Sequence, residues 1–220
     1  MKQNEQELQF LKNELREMWR LVISQVEKSR TALLRQDTQA AAEVIVFEDK
    51  VDAFDLKIDS LCEHYIALYN PVAIDLRMVL SSMKISLTLE RIADYVASIA
   101  HSVAEEECND FYKEMNNSLE VKEIYTIIAG MLTDTLVIFE TESAKNAGRI
   151  LIRDKQINKL YKQAFALIST SVEGQNSGKI ECGLKMMLIL QKLERIGDHC
   201  TNIVEELVFY TEAKILKHKS

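Results

Sequence analysis

A hexapeptide occurs twice in this chain with a single substitution. Leu89-Glu90-Arg91-Ile92-Ala93-Asp94 returns as Leu193-Glu194-Arg195-Ile196-Gly197-Asp198, 104 residues later in a chain of 220. The flanks extend the match: Ile99 aligns with Ile203, and an acidic stretch follows each copy (Glu105-Glu106-Glu107, then Glu205-Glu206). Self-similarity at a fixed long period means that each half carries the same supersecondary unit. Only six glycines and one proline, Pro71, are available to punctuate it. Strands and tight turns need more of both, so the unit reads as helical with short connections.

Apolar spacing gives the helices. Leu8, Leu11, Leu15, Met18 and Val22 recur every three or four residues, the signature of one apolar helical stripe. The stripe predicts a first helix to about Leu34, broken by Gln36-Asp37-Thr38, with Asp37 or Thr38 capping the next. The second helix is expected over 39–69, ended by Asn70-Pro71 with Pro71 at the first position of helix three, which runs over 72–107. The second half repeats the scheme at about 118–145, 149–172 and 179–213. Cys108 to Asn117 holds neither Gly nor Pro, so the join is expected to be partly helical. The expected architecture is therefore all-α: two tandem pseudo-symmetric three-helix bundles built from six long helices, split as 1–113 and 114–220.

Composition excludes several function classes. A net charge of −7 disfavours nucleic acid as a partner, since phosphate backbones attract Lys/Arg-rich surfaces. Lys214, Lys217, His218 and Lys219 read as a solvated helix end. No apolar run approaches the roughly 18 residues that cross a bilayer, and the first residues lack a secretion-signal core. Cys62, Cys108, Cys182 and Cys200 show no Cys-x-x-Cys spacing, so reduced, buried thiols in a cytoplasmic protein are expected. Trp19, Phe47, Phe54, Tyr65, Met186 and Met187 fall on apolar stripes and read as core.

The repeated carboxylates carry the chemistry. Glu90 and Asp94 stand four apart, hence on one helix face with Cβ atoms about 5–6 Å apart, where like charges repel. A divalent cation would offset the repulsion; so would an ion pair from Arg91 or Arg195, three residues before Asp94 and Asp198. Both readings stay open on spacing alone. Asp55 and Asp59 repeat the spacing on the neighbouring helix, and an antiparallel pairing through the Asn70-Pro71 turn brings all four carboxylates to similar distances from it. The second-half counterparts are Asp154 and Asn158, so that half offers Asp154, Glu194 and Asp198 with one amide. No His lies three residues after a Glu, which disfavours a di-iron carboxylate centre. A phosphate loop and a nucleophile elbow are both absent.

Three stretches resemble the PhoU family of bacterial phosphate-uptake regulators. Asn70-Pro71-Val72-Ala73-Ile74-Asp75-Leu76-Arg77 is similar to its Pro-x-Ala-x-Asp-Leu-Arg motif. The two Glu-Arg-Ile-x-Asp copies, the second continuing His199-Cys200-Thr201-Asn202-Ile203, are similar to its Glu/Asp-x-x-x-Asp motifs. The resemblance implies a cytoplasmic, non-enzymatic homodimer of two three-helix repeats. It implies an adapter between the ATPase of a phosphate ABC transporter and a sensor histidine kinase, repressing the phosphate-starvation response and reaching the membrane only through those partners. It implies metal ligation by Asp55, Asp59, Glu90, Asp94, Asp154, Glu194 and Asp198, with iron, zinc, magnesium or manganese as the ion. Asn158, Ala93 and Ser98 depart from the pattern, the first weakening the second-half site. The alternative from another class is a two-metal phosphoesterase using the same carboxylates.

Overall fold

Asp37 caps the second helix as its sequence suggests: its side chain accepts a hydrogen bond from the Ala40 amide at 2.9 Å. In the computed structural model, which describes residues 3–214, the chain forms α1 (Gln3–Arg35), α2 (Thr38–Tyr69), α3 (Ala73–Ala104), α4 (Asn109–Met115), α5 (Val121–Thr141), α6 (Ala147–Val172) and α7 (Ser177–Glu212). A 3₁₀ turn, Ala144–Asn146, precedes α6, and no strand occurs among the described residues. Lys217, His218 and Lys219 lie outside them. The six long helices are those expected, and the join is helical over α4. That short helix contains the expected boundary between residues 113 and 114.

Two local details differ from expectation. Asn70 takes the left-handed conformation (φ 43°) and donates its backbone N–H to the Ile66 carbonyl, so it closes α2 rather than opening α3. Pro71 then lies in the connection, and α3 begins after Val72. The fourth long helix ends at Thr141 instead of near residue 145, because Glu142 adopts φ 50° and the 3₁₀ turn takes up the remainder.

Helices α1, α2 and α3 pack together, as do α5, α6 and α7, and the two triplets join through α3 on α7 and α1 on α5. The α3–α7 pair is antiparallel: Arg77 donates to the Tyr210 carbonyl at one end, and Tyr95 stacks on His199 further along. One hydrophobic core runs through both halves. Trp19 on α1 is fully buried, its ring centroid 5.6 Å from that of Phe139 on α5. A buried Ser29–Tyr125 hydroxyl contact at 2.9 Å makes a polar link across the same α1–α5 seam. Tyr65 and Met186 are buried as expected; Phe47 and Phe54 are only partly so, with Lys28 and Lys50 over the Phe47 ring.

The sequence expectation of no membrane-length apolar helix needs correction. By length and composition α5 could cross a bilayer, with a mean hydropathy of 1.4 over its best window. Its apolar residues Ile124, Ile128, Met131, Leu132 and Ile138 are instead buried in the core. Near-continuous apolar character here reflects a helix covered on more than one side.

The cysteines need a second correction. Cys62 and Cys200 are buried free thiols, as expected, and burial, followed by the charges of Asp59 and Glu63, raises the Cys62 thiol to about 12. Cys108 and Cys182, however, form a disulfide. Their 74-residue separation hides the pair from any test of local spacing. Closing a loop of that size stabilises the fold by about 4 kcal/mol in the chain-entropy description.

Candidate functional site

Helix α2 carries acids at Glu48, Asp52, Asp55 and Asp59, spaced four, three and four, so they line one face. That face meets α3, whose Glu90 and Asp94 project towards it. Asp52 lies 18 residues before Asn70, and Glu90 lies 18 after Val72. An antiparallel hairpin therefore sets them opposite each other. Carboxylate oxygens of Asp52, Glu90 and Asp94 all lie within 4.8 Å of one another. Among the described residues no other three acidic, Cys or His groups come so close.

The acids load one another with charge. Burial raises the Glu90 carboxyl to about 7, assisted by Asp94, Asp55 and Asp52 against the opposing Arg91. Burial and then Asp52 raise Asp94, while its hydrogen bond with Glu90 opposes. Burial, then Asp94 and Asp52, raise Glu48, with His101 opposing. Arg91 makes no ion pair within 4.0 Å among the described residues, so the neutralising arginine that spacing allowed is not used here. One oxygen of Asp55 is buried without a hydrogen-bond partner beside this group. Three crowded carboxylates with no cation paired to them, beside an unsatisfied Asp55 oxygen, fit a hard metal ion.

The second half resolves the same choice the other way. Arg195 reaches Glu194 at 3.9 Å and Asp198 at 3.6 Å. Asn158 donates to Asp154 at 3.1 Å, so the amide occupies a carboxylate oxygen that an aspartate there would leave to a cation. Burial, then Asp198, raise Glu194, with Arg195 opposing and Asp154 adding. Gly197 sits where an added Cβ would meet Ile157 at 3.0 Å and Asp154 at 3.2 Å, so its lack of a side chain lets α6 close on α7. The corresponding Ala93 is tolerated in the first half, where it is buried against the core.

Of the residues expected from sequence, Glu90 and Asp94 come together, and Asp55 stands within electrostatic reach of Glu90. Asp59 does not join them. Its carboxyl is raised by burial and then by Asp55 and Glu63, so its charged neighbours lie on its own helix. Asp52 takes its place, about two turns nearer the α2 N-terminus. Four-residue pairing overlooked Asp52; the continuous four-three-four acidic stripe was the signal that contained it. Asp154, Glu194 and Asp198 gather on α6 and α7 with Arg195 among them.

Both centres border a cleft of about 770 Å³ between α3 on one side and α6 and α7 on the other, where Asp94 and Arg91 face Asp154, Arg195, Asp198 and His199. The His199 ring stacks on Tyr95, centroids 5.7 Å apart. Burial and then the nearby Arg91 push its pKa below the ordinary range, against the pull of Asp198. The neutral imidazole is thereby favoured over the charged one, and the ring packs as part of the seam.

The PhoU domain family model matches this chain twice, at residues 15–103 and 121–207, one match in each triplet. The chain belongs to the PhoU family. It is 30% identical over 212 residues to the phosphate-specific transport system accessory protein PhoU of Serratia marcescens, covering 96% of this chain and 86% of that one. The Escherichia coli K12 protein of the same name matches at the same identity and coverage. Among solved structures, PhoU from Pseudomonas aeruginosa superposes with a TM-score of 0.88 at 28% identity, covering 96% of this chain and 100% of its own. The phosphate transport system regulatory protein PhoU from Streptococcus pneumoniae gives 0.82 at 26% identity, covering 98% and 100%. The PhoU fold, with its two tandem repeats, is thus present over nearly the whole chain.

The raised Glu90 carboxyl has a consequence for pH. A carboxyl whose folded pKa lies above its ordinary 4.5 stabilises the protein fully below 4.5 and loses that contribution as pH rises through about 7. Allowing for its partial exposure, metal-free protein is expected to be more stable at about pH 5 than at about pH 8 by ~1 kcal/mol from this group. Urea denaturation of the chain and of Glu90→Gln at both pH values isolates the effect. An equal pH response in the two proteins would refute it.

Proposed function

We propose that this chain is a non-enzymatic regulator of phosphate uptake, an adapter between the ATPase subunit of a phosphate ABC transporter and a sensor histidine kinase. The observation that carries this reading is the match of the PhoU domain to both halves, in a chain that covers 86% of the transport accessory proteins it resembles. Acting as a homodimer on the cytoplasmic side, it would meet the membrane through these partners and repress the phosphate-starvation response when phosphate is ample.

The metal enters as a structural element of the docking face. Asp52, Glu90 and Asp94, with Asp55 beside them, would hold magnesium, manganese, iron or zinc through carboxylate oxygens. The bound ion would supply positive charge that ties α2 to α3. In the second half, Asp154, Glu194 and Asp198 would bind more weakly, since Arg195 already neutralises two of them. Asp59 would stay outside the first coordination group. The two-metal phosphoesterase reading requires two ions about 3.5–4 Å apart with both clamped by ligands. Only one group of three carboxylates gathers tightly among the described residues, which favours the adapter.

Tagged purification from solubilised cells grown with ample phosphate tests the reading. Co-purification of the transporter ATPase or a sensor kinase is expected, reduced in a variant carrying Asp52→Asn, Glu90→Gln and Asp94→Asn. Recovery of neither partner, together with metal-dependent turnover of a phosphoester, would replace the adapter by the enzyme.

A further inference from the structure

Cys108 immediately precedes α4 in the stretch that joins the two repeats, and Cys182 lies in the second turn of α7. Their bond fastens α4 to α7. Little else does so firmly. Lys185 reaches Glu107 at 2.8 Å and Glu105 at 3.6 Å, just before α4, and Lys179 reaches Glu114 on α4 at 3.4 Å. These acids are all exposed, so the pairs are weak and screened by salt. Seven residues are too few to hold a helix without tertiary support. Without the bond, α4 depends on the burial of Phe111, Tyr112 and Met115.

Access distinguishes this bond from a permanent staple. Cys182 is partly exposed and borders an open cleft of about 410 Å³, lined also by Cys108, Phe111 and Lys179. A small thiol or disulfide can enter along it and approach the Cys182 sulfur. Cys62 and Cys200 are fully buried, and burial raises both thiols, so neither competes for an external reagent.

We propose that Cys108 and Cys182 form a reversible redox modification site, in which thiol–disulfide exchange with a low-molecular-weight thiol of the glutathione class clamps or releases α4 at the join between the repeats. Oxidation consumes one external disulfide. The Cys182 thiolate attacks one of its sulfurs and expels one thiol, giving a mixed disulfide. The Cys108 thiolate then attacks the Cys182 sulfur and expels the second thiol. Two electrons pass from the cysteine pair to the reagent, whose two sulfurs leave as thiols with the two cysteine protons. The reverse sequence reopens the bond. This proposal concerns the join between the repeats and stands apart from the metal and adapter readings.

Full-length protein equilibrated in mixtures of reduced and oxidised glutathione, quenched with an alkylating agent and analysed by peptide mass spectrometry, gives the redox state of each cysteine. Hydrogen exchange on the same samples reports α4. The Cys108–Cys182 bond is expected to titrate between open and closed across these mixtures while Cys62 and Cys200 remain thiols. Amides of residues 109–115 should exchange about tenfold faster or more once the bond opens. Cys108→Ser and Cys182→Ser should show the fast exchange in every mixture. A bond that never forms, or one that persists in excess reduced glutathione, overturns the proposal. So does exchange of α4 that is independent of the bond, or exchange of α4 that still responds to oxidant when Cys108→Ser and Cys182→Ser are combined.

Discussion

Trp19→Ala is expected to destabilise the protein by about 3–5 kcal/mol, because it deletes a fully buried indole and leaves a cavity that long packed helices close only partly. For a chain of this size that corresponds to a fall in Tm on the order of 10 °C. Its location makes the loss informative. The ring contacts Phe139 of the second triplet, so the cavity opens in the seam between α1 and α5 rather than inside one bundle. Heating or urea should therefore still unfold the variant in one transition, since both halves lose the same shared contact. Two separate transitions would instead show that residues 1–113 and 114–220 fold as independent units. Trp19→Phe should cost much less. It keeps an aromatic partner for Phe139 and removes an indole N–H that makes no hydrogen bond.

Manganese or iron is expected to raise the Tm through Asp52, Glu90 and Asp94. An ion that binds only the folded protein adds about 2.7 kcal/mol at a free concentration one hundred times its Kd, hence several degrees in Tm. Chelation should reverse the gain. Asp52→Asn should remove most of it, because this residue belongs to the group whose oxygens lie within 4.8 Å. Asp59→Asn should leave it nearly intact, and Glu194→Gln should reduce it only slightly. The comparison decides the helix register: if Asp59→Asn abolishes the metal response and Asp52→Asn spares it, α2 and α3 do not face each other as described. If Glu194→Gln alone abolishes it, the principal site is in the second half. Without metal, Glu90→Gln should itself stabilise the protein near pH 8, since it removes one of several mutually repelling charges.

The helices and their pairing were written into local pattern. Apolar residues three and four apart specify α1 on their own, and Asp37 marks the start of α2, because both signals act within a few residues. The duplicated Leu-Glu-Arg-Ile motif announced two equivalent units and placed Glu90 and Asp94 on one face, since four residues make about one helical turn. Tertiary packing decided which residue of α2 met them. The turn at Asn70-Pro71-Val72 and the packing of α3 fix the register, and a shift of about two turns exchanges Asp59 for Asp52. Packing also decided the fate of two similar motifs: Arg195 folds onto its neighbouring acids, whereas Arg91 leaves Glu90 and Asp94 unpaired. The Cys108–Cys182 bond belongs to the same class, invisible along the chain because the two residues meet only after α4 has docked on α7. Periodicity is a property of one helix and can be read from its own residues. Register, ion pairing and cross-linking depend on how separate helices are placed against one another, which no single stretch of sequence contains.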